Sequence, residues 1–232
     1  MLSSRNGLLE REKEIIRLLN IFLDQKLDFI VVGGYAVSTY KKRFSVDLDI
    51  IIKEKDLYKF EELCKKEKYT IAYDKDIKLI YGEKFKRYVK KIKGLNVYVD
   101  FLINGLVSRT TDSSWSFDYV KKYSIKGRVD SLEFITPEKE LLMAMKFHSG
   151  RLADIRDIVA LMPCHIKKLE FHLLKGDIKK LLKSIDKQRK FLEKPQFDDS
   201  FKGIFGVHVY NEKSVKETKN FINYFMVKLK SK

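Results

Sequence analysis

The segment Phe29–Ile52, FIVVGGYAVSTYKKRFSVDLDIII, constrains this chain more than any other. An apolar run ends in Gly33-Gly34, Tyr35 to Lys41 leaves room for two helical turns, and a second apolar run begins at Val46. The pattern predicts strand, glycine pair, short helix, loop and strand. Asp47 and Asp49 lie two apart on the second strand, so the period of two puts both carboxylates on one face. Like charges so placed repel, and a cation between them relieves the repulsion. Hard oxygen donors at this spacing suit Mg²⁺ (or Mn²⁺), which also takes phosphate oxygens. The glycine pair lets a phosphate approach the backbone where a helix begins, and the free N–H groups there favour an anion. Together the two features make a site for metal-assisted phosphoryl or nucleotidyl transfer.

Apolar spacing extends this reading along the chain. Residues 8–26 predict a helix with Leu8, Ile15, Leu18, Leu19, Phe22 and Leu23 near one face. A second amphipathic helix covers 55–68, with Leu57, Phe60, Leu63 and Cys64 inward. Ile77–Tyr81, Lys86–Ile92 and Leu95–Ile103 read as strands, with a turn at Gly94-Leu95-Asn96. Asp100 stands inside the last of these apolar runs, and an acid there needs a reason. The polar stretch 104–118 reads as a loop whose Trp115 either packs inward or stacks a base. Residues 123–126 and 131–135 look extended. Thr136-Pro137-Glu138 reads as a helix start with Thr136 as cap. That helix runs to about His148, and another spans Leu152 to about Met162. Amphipathic helices follow around 178–192 and 211–230.

Charge and composition set the class. With 44% hydrophobic and 12% aromatic residues among 232, the chain has material for a real core and is not a disordered polymer. Its 48 Lys+Arg exceed 32 Asp+Glu by 16, an imbalance that attracts polyanions by neutralising phosphates. Lys outnumbers Arg 38 to 10, which suits backbone attraction more than base reading. Residues 163–232 hold 17 Lys+Arg against 8 Asp+Glu, more than half of the excess. The expected division is therefore a mixed α/β domain over 1–162 and a basic helical region over 163–232, an α+β architecture overall. No apolar run approaches the ~18–20 residues that span a bilayer, so no membrane partner is expected. The early charges after Met1 do not resemble a secretory leader. Cys64 and Cys164 form no C-x-x-C motif, which suits a reducing cytoplasm. His148, His165, His172 and His208 lack zinc-ligand spacing and read as structural.

These residues carry a resemblance. Gly33-Gly34, twelve residues, then Asp47-Leu48-Asp49 resembles the signature of the DNA polymerase β nucleotidyltransferase superfamily. The fuller string, with Ala36, Arg43, Ser45 and Asp47-Leu48-Asp49-Ile50, is similar to that of bacterial and archaeal abortive-infection and toxin–antitoxin nucleotidyltransferases. Downstream, Lys146, Arg151, Asp154, Asp157 and Leu161 in KFHSGRLADIRDIVAL resemble the helical K…R-x-x-D-x-x-D-x-x-x-L motif of that branch. The resemblance covers roughly 28–162 and leaves the basic tail aside. It implies a mixed sheet with flanking helices, followed by a helical C-terminal region. It further implies Mg²⁺-dependent transfer of a nucleoside monophosphate from an NTP to an acceptor hydroxyl, in RNA such as tRNA or in protein. Asp47 and Asp49 then hold metal, and Asp100 is the third carboxylate, sharing a metal and helping to deprotonate the acceptor. Gly33 and Gly34 offer backbone N–H groups. Gly34 stands where the superfamily often has serine, so Ser38 or Ser45 supplies a hydroxyl instead. Arg43 contacts phosphate or packs the glycine turn. Lys146, with Arg151, neutralises triphosphate charge, and Asp154 or Asp157 orients these cations. Lys146 and Asp157 share a face if their helix is continuous, unless Gly150 breaks it. An antitoxin or regulator protein is a further implied partner. The alternative is a catalytically silent relative that binds nucleotide or nucleic acid.

Overall fold

The computed structural model describes residues 2–72, 84–206 and 212–230. The strand expected at Ile77–Tyr81 and the histidine at position 208 lie outside them. The chain divides into two compact units. The first comprises Met1–Thr39, Arg43–Val107 and Trp115–Pro137, and the second Tyr40–Lys42, Ser108–Ser114 and Glu138–Lys232.

In the first unit, helix α1 (Leu2–Asp24) leads into strand β1 (Phe29–Val32), the short helix α2 (Gly33–Ser38) and strand β2 (Asp47–Ile52). Helix α3 (Leu57–Lys66) then crosses to β3 (Thr70–Ala72), β4 (Phe85–Ile92) and β5 (Leu95–Ile103). The sheet order is β1-β2-β5-β4-β3, mixed because β2 and β5 run parallel while their outer neighbours run antiparallel. A parallel pair needs a long crossover, and α3 with β3 and β4 supplies it. Alternation decides the faces. Leu48, Ile50, Ile52, Val97, Val99 and Phe101 point into the core, where Ile15, Leu18, Leu19 and Phe22 of α1 and Phe60 and Cys64 of α3 cover them. The residues between them, Asp47, Asp49, Tyr98 and Asp100, share the other face.

Three details differ from expectation. The β4–β5 turn is Lys93-Gly94, both at positive φ, and Leu95 and Asn96 already belong to β5. Residues 104–118 are not a plain loop: they form β6 (Gly105–Ser108), β7 (Ser113–Ser116) and the start of helix α4 (Phe117–Lys122), capped by Ser116. In β7 buried Ser113 and Trp115 alternate with exposed serines, so small polar side chains conceal a strand pattern. The hairpin β8 (Ser124–Val129) and β9 (Leu132–Pro137) pairs through Ile125–Thr136 and Ser124–Pro137. Thr136 is therefore a strand residue, and the next helix starts two positions after Pro137 with Glu138 as cap.

The second unit is helical: α5 (Lys139–His148), α6 (Ile155–Leu161) after a 3₁₀ turn at Leu152–Asp154, α7 (Ile166–Leu173), α8 (Ile178–Phe191), α9 (Gln196–Phe205) and α10 (Glu212–Lys230). Helix α5 is buried over Glu140–His148 and has no solvent face to spare. It is enclosed by α7 and α8, and Arg156 of α6 donates to Ser200 of α9. The boundary expected between residues 162 and 163 thus falls inside this unit, because burial, not charge, decides what packs together. Sequence periodicity anticipated α8 and α10 but not α7 or α9. In α9, Phe197, Phe201 and Phe205 recur every fourth residue and are all buried.

Candidate nucleotidyl-transfer site

The first unit joins the glycine turn to the acidic strand. Gly33 opens α2 at φ +64, a conformation that favours glycine. A Cβ there would collide with Oδ2 of Asp49. A Cβ on Gly34 would run into Ser45, and its third neighbour is Nη2 of Arg43 at 3.3 Å. The glycine pair therefore makes room for side chains of its own unit. Ser38 Oγ lies 3.2 Å from the Gly34 carbonyl and 3.1 Å from that of Arg43. Ser45 Oγ donates to the Asp47 carbonyl, and Arg43 Nε donates to the Phe44 carbonyl. These three side chains brace the α2–β2 connection. Helix α2 has six residues, so its dipole is modest and any anion there depends on individual N–H groups.

Asp49 pairs in register with Val32 on one side and Asp100 on the other. Asp100 in turn sits opposite Arg87 on β4. One row across the sheet thus reads Val32, Asp49, Asp100, Arg87, with Asp47 two residues before Asp49 on the same face. Asp47 and Asp49 are half-buried; Asp100 is 3% exposed. Arg87 grips Asp100 with two bonds, Nε to Oδ1 at 2.7 Å and Nη2 to Oδ2 at 2.6 Å. Burial pushes the Asp100 carboxyl up, Arg87 opposes, and the charges of Asp49 and Asp47 push it further, to about 7. Among the described residues, no group of three His, Cys, Asp or Glu stands close enough to hold a metal by itself. Asp100 is turned to Arg87, so the structure does not gather the expected three-carboxylate cluster. Asp47 and Asp49 remain as hard oxygen donors. Two carboxylates completed by substrate phosphates are an ordinary donor set for Mg²⁺, so these residues fit the ion. Arg87 was missed by sequence reasoning. Counting back from the Lys93-Gly94 turn, with Ile92 opposite Leu95, places it opposite Asp100.

The downstream motif lies in the second unit. Helix α5 ends before Gly150, whose φ is +71, so Lys146 and Asp157 meet from two helices and not along one. Lys146 Nζ bonds Asp157 Oδ2 at 2.7 Å and Asp154 Oδ1 at 3.1 Å, and its side chain is 6% exposed. Asp154 also accepts from Arg151 Nε at 2.9 Å and from Ser149 Oγ. Burial alone would raise the Asp154 carboxyl, but Lys146 and Arg151 outweigh it and hold the group below the ordinary carboxylate range. Gln188 of α8 ties the same turn by donating to the Lys146 and Arg151 carbonyls. Both aspartates pair with cations, and a lysine enclosed this way does not present its amine to solvent. Arg151, 57% exposed, does reach outward. Trp115 is 1% exposed, which leaves no ring face for a base. His148 is buried against Thr111 and the Leu173 carbonyl, His172 pairs with Glu138, and His165 caps α7.

The glycine turn is thus braced on an acidic strand at the heart of a mixed sheet, and a solved structure of the nucleotidyltransferase fold superposes on this chain. Neither a protein-family model nor a curated protein matches the chain. A protein from H. pylori assigned to the nucleotidyltransferases superposes with TM-score 0.51 at 14% identity, over 97% of each chain. The lincosamide antibiotic adenylyltransferase LnuA, solved with lincomycin, gives 0.47 at 19% identity, over 65% of this chain and 95% of its own. ANT(2")-Ia, solved with adenylyl-2"-tobramycin, gives 0.42 at 12% identity, over 78% of this chain and 96% of its own. This chain has a nucleotidyltransferase fold, and these neighbours are nucleotidyltransferases. No helix among the described residues is long and apolar enough to cross a membrane.

Proposed function

We propose that this protein transfers a nucleoside monophosphate from an NTP to an acceptor hydroxyl, releasing pyrophosphate with Mg²⁺ (or Mn²⁺) as cofactor. The observation that carries this is the row of Asp49, Asp100 and Arg87 across adjacent strands, with Asp47 beside it and Gly33 packed on Asp49. Asp47 and Asp49 are the carboxylates that would hold the metal. Bound there with the triphosphate, the metal supplies Lewis-acid stabilisation of the phosphate charge. Backbone N–H groups of Gly33 and Gly34 receive phosphate oxygens, with Arg43, Ser38 and Ser45 holding the turn that presents them. The fork of Arg87 uses one lone pair on each Asp100 oxygen and leaves the others to accept the proton of the incoming hydroxyl. Lys146, Asp154 and Asp157 fix the turn that displays Arg151, which contributes the exposed cation of that motif. The excess of 16 positive charges favours an RNA acceptor such as tRNA over a neutral small molecule. A place in a defence or toxin–antitoxin pair follows the motif resemblance, and an adjacent gene for a small regulator is what that placement requires.

Incubation with each labelled NTP, Mg²⁺ and either total RNA or total protein tests the reaction. Label should move to a macromolecule in the wild type and stay on nucleotide in Asp49→Ala; transfer that survives this substitution removes Asp49 from the mechanism. A second reading has its own support, because Arg87 occupies Asp100 with both prongs. In that reading the chain binds NTP without turnover. Calorimetric titration separates the two, since saturable Mg²⁺-dependent NTP binding with no pyrophosphate released is the outcome for a silent relative.

A further inference from the structure

The sheet face that carries Asp47 and Asp49 continues on the side away from the glycine turn. Register puts Tyr98 of β5 opposite Asp47 on one side and opposite Val89 of β4 on the other. Asn96 and Lys91, two residues away on each strand, stand opposite each other on the same face. Tyr98, Asn96 and Val89 are half-buried and Lys91 is exposed, whereas Val97 and Val99, which alternate with Tyr98 on the other face, are fully buried. The Tyr98 ring is fixed at two points. Its hydroxyl accepts from Asn96 Nδ2 at 2.8 Å, and the Arg87 guanidinium that grips Asp100 lies over the ring, 4.8 Å from its centroid. Carboxylate, guanidinium and ring are therefore one connected set, of which the reaction described above uses only the first two. A half-buried ring held this way has little rotamer freedom left to lose on binding, which is what a stacking platform needs.

We propose that Tyr98 stacks the terminal base of the acceptor, a single-stranded RNA end. The inference rests on the nucleotidyl-transfer reading: with the triphosphate at the glycine turn on one flank of Asp47, the flank where Tyr98 stands is left to the acceptor. Neighbouring strands lie ~4.8 Å apart, so a base on the ring and a ribose hydroxyl at the carboxylates fit within one nucleotide. Lys91, exposed on the same face, suits the phosphate that precedes that nucleotide. Stacking on an aromatic ring accepts every base, so the platform holds an RNA end without reading its sequence.

The probe is a short oligoadenylate RNA, titrated against the full chain by fluorescence anisotropy with no NTP present, beside the same RNA lacking its 3′-terminal base. The two carry equal charge, so the general attraction of a basic protein for phosphate cancels. The intact RNA should bind about tenfold more tightly than the abasic one. Tyr98→Leu should abolish that preference, and Tyr98→Phe, which keeps the ring, should retain it. Equal affinity of the wild type for both RNAs overturns the proposal, as does a preference that persists in Tyr98→Leu. So does a tenfold loss of Mg²⁺–NTP affinity in Tyr98→Leu, since the ring would then serve the base of the NTP. If that variant does not fold, a terminal 4-thiouridine photocrosslinked to the wild type decides: attachment at Tyr98 or Arg87 supports the platform, and attachment only elsewhere overturns it. These readouts need no turnover, so a protein that releases no pyrophosphate refutes the transfer reaction while the base preference stands or falls by itself.

Discussion

Arg87 and Asp100 show how much a single ion pair decides in this molecule. The carboxylate is 3% exposed and held by two bonds from one guanidinium, so losing the arginine strands a charge in the interior. Arg87→Met should cost about 3–5 kcal/mol in denaturant unfolding, and adding Asp100→Asn should restore part of it. Gly33→Ala is the complementary test on the other side of the row. The new methyl meets the Asp49 carboxylate at a φ of +64, so Asp49 must move. The expected result is a stability loss of about 1–2 kcal/mol with nucleotide turnover reduced far more than that loss explains, measured by thermal unfolding and pyrophosphate release. The sequence made Asp47, Asp49 and the glycine pair legible because period-two alternation and glycine chemistry are local. It did not reveal Arg87, since a cross-strand partner depends on register, and a turn misplaced by a residue or two changes the partner.

At the level of elements, α5 joins two kinds of buried polar group. Lys146 satisfies Asp154 and Asp157, while His148, two residues on, is enclosed as a neutral ring. Lys146→Met should destabilise the protein by about 3 kcal/mol without removing Arg151 from Asp154, as read by urea unfolding. Burial depresses the His148 imidazolium, to about 4 from an ordinary 6.5. The folded state therefore resists protonation that the unfolded chain accepts. Stability contributed by this group is fully present above pH 6.5 and lost as pH falls from about 6.5 to about 4. A His148→Gln variant should lose that part of the acid sensitivity, whatever its stability at neutral pH. The family resemblance singled out Lys146, Arg151, Asp154 and Asp157, and the structure joins them through ion pairs. The resemblance did not say whether Lys146 faces solvent, because that depends on α7 and α8 closing around a helix that is buried on all sides.

For the molecule as a whole, composition and packing divide the chain at different places. Charge changes at Pro163, but the helical unit begins at Glu138, since α5 has no exposed face and needs the tail helices to cover it. The α+β class was readable from hydrophobic patterning and the mixed sheet followed from the family resemblance; helices α7 and α9 were readable from neither, being short and flanked by polar turns. The lysines of α8, among them Lys179, Lys183 and Lys187, lie on its outer side while Leu181 and Ile185 pack inward. If they track a phosphate backbone, changing these three to Gln should flatten the slope of log RNA affinity against log salt by about 0.7–0.9 for each phosphate they neutralise. An unchanged slope would mean the tail's charge only solvates the surface. The central claim is chemical, and pyrophosphate release from each of the four NTPs, with Mg²⁺ and total RNA, tests it most directly. The account predicts release with at least one NTP in the wild type and a loss of about a hundredfold or more in Asp49→Asn, at an unchanged melting temperature. Equal release by the two proteins, or none from the wild type with any NTP, would contradict it.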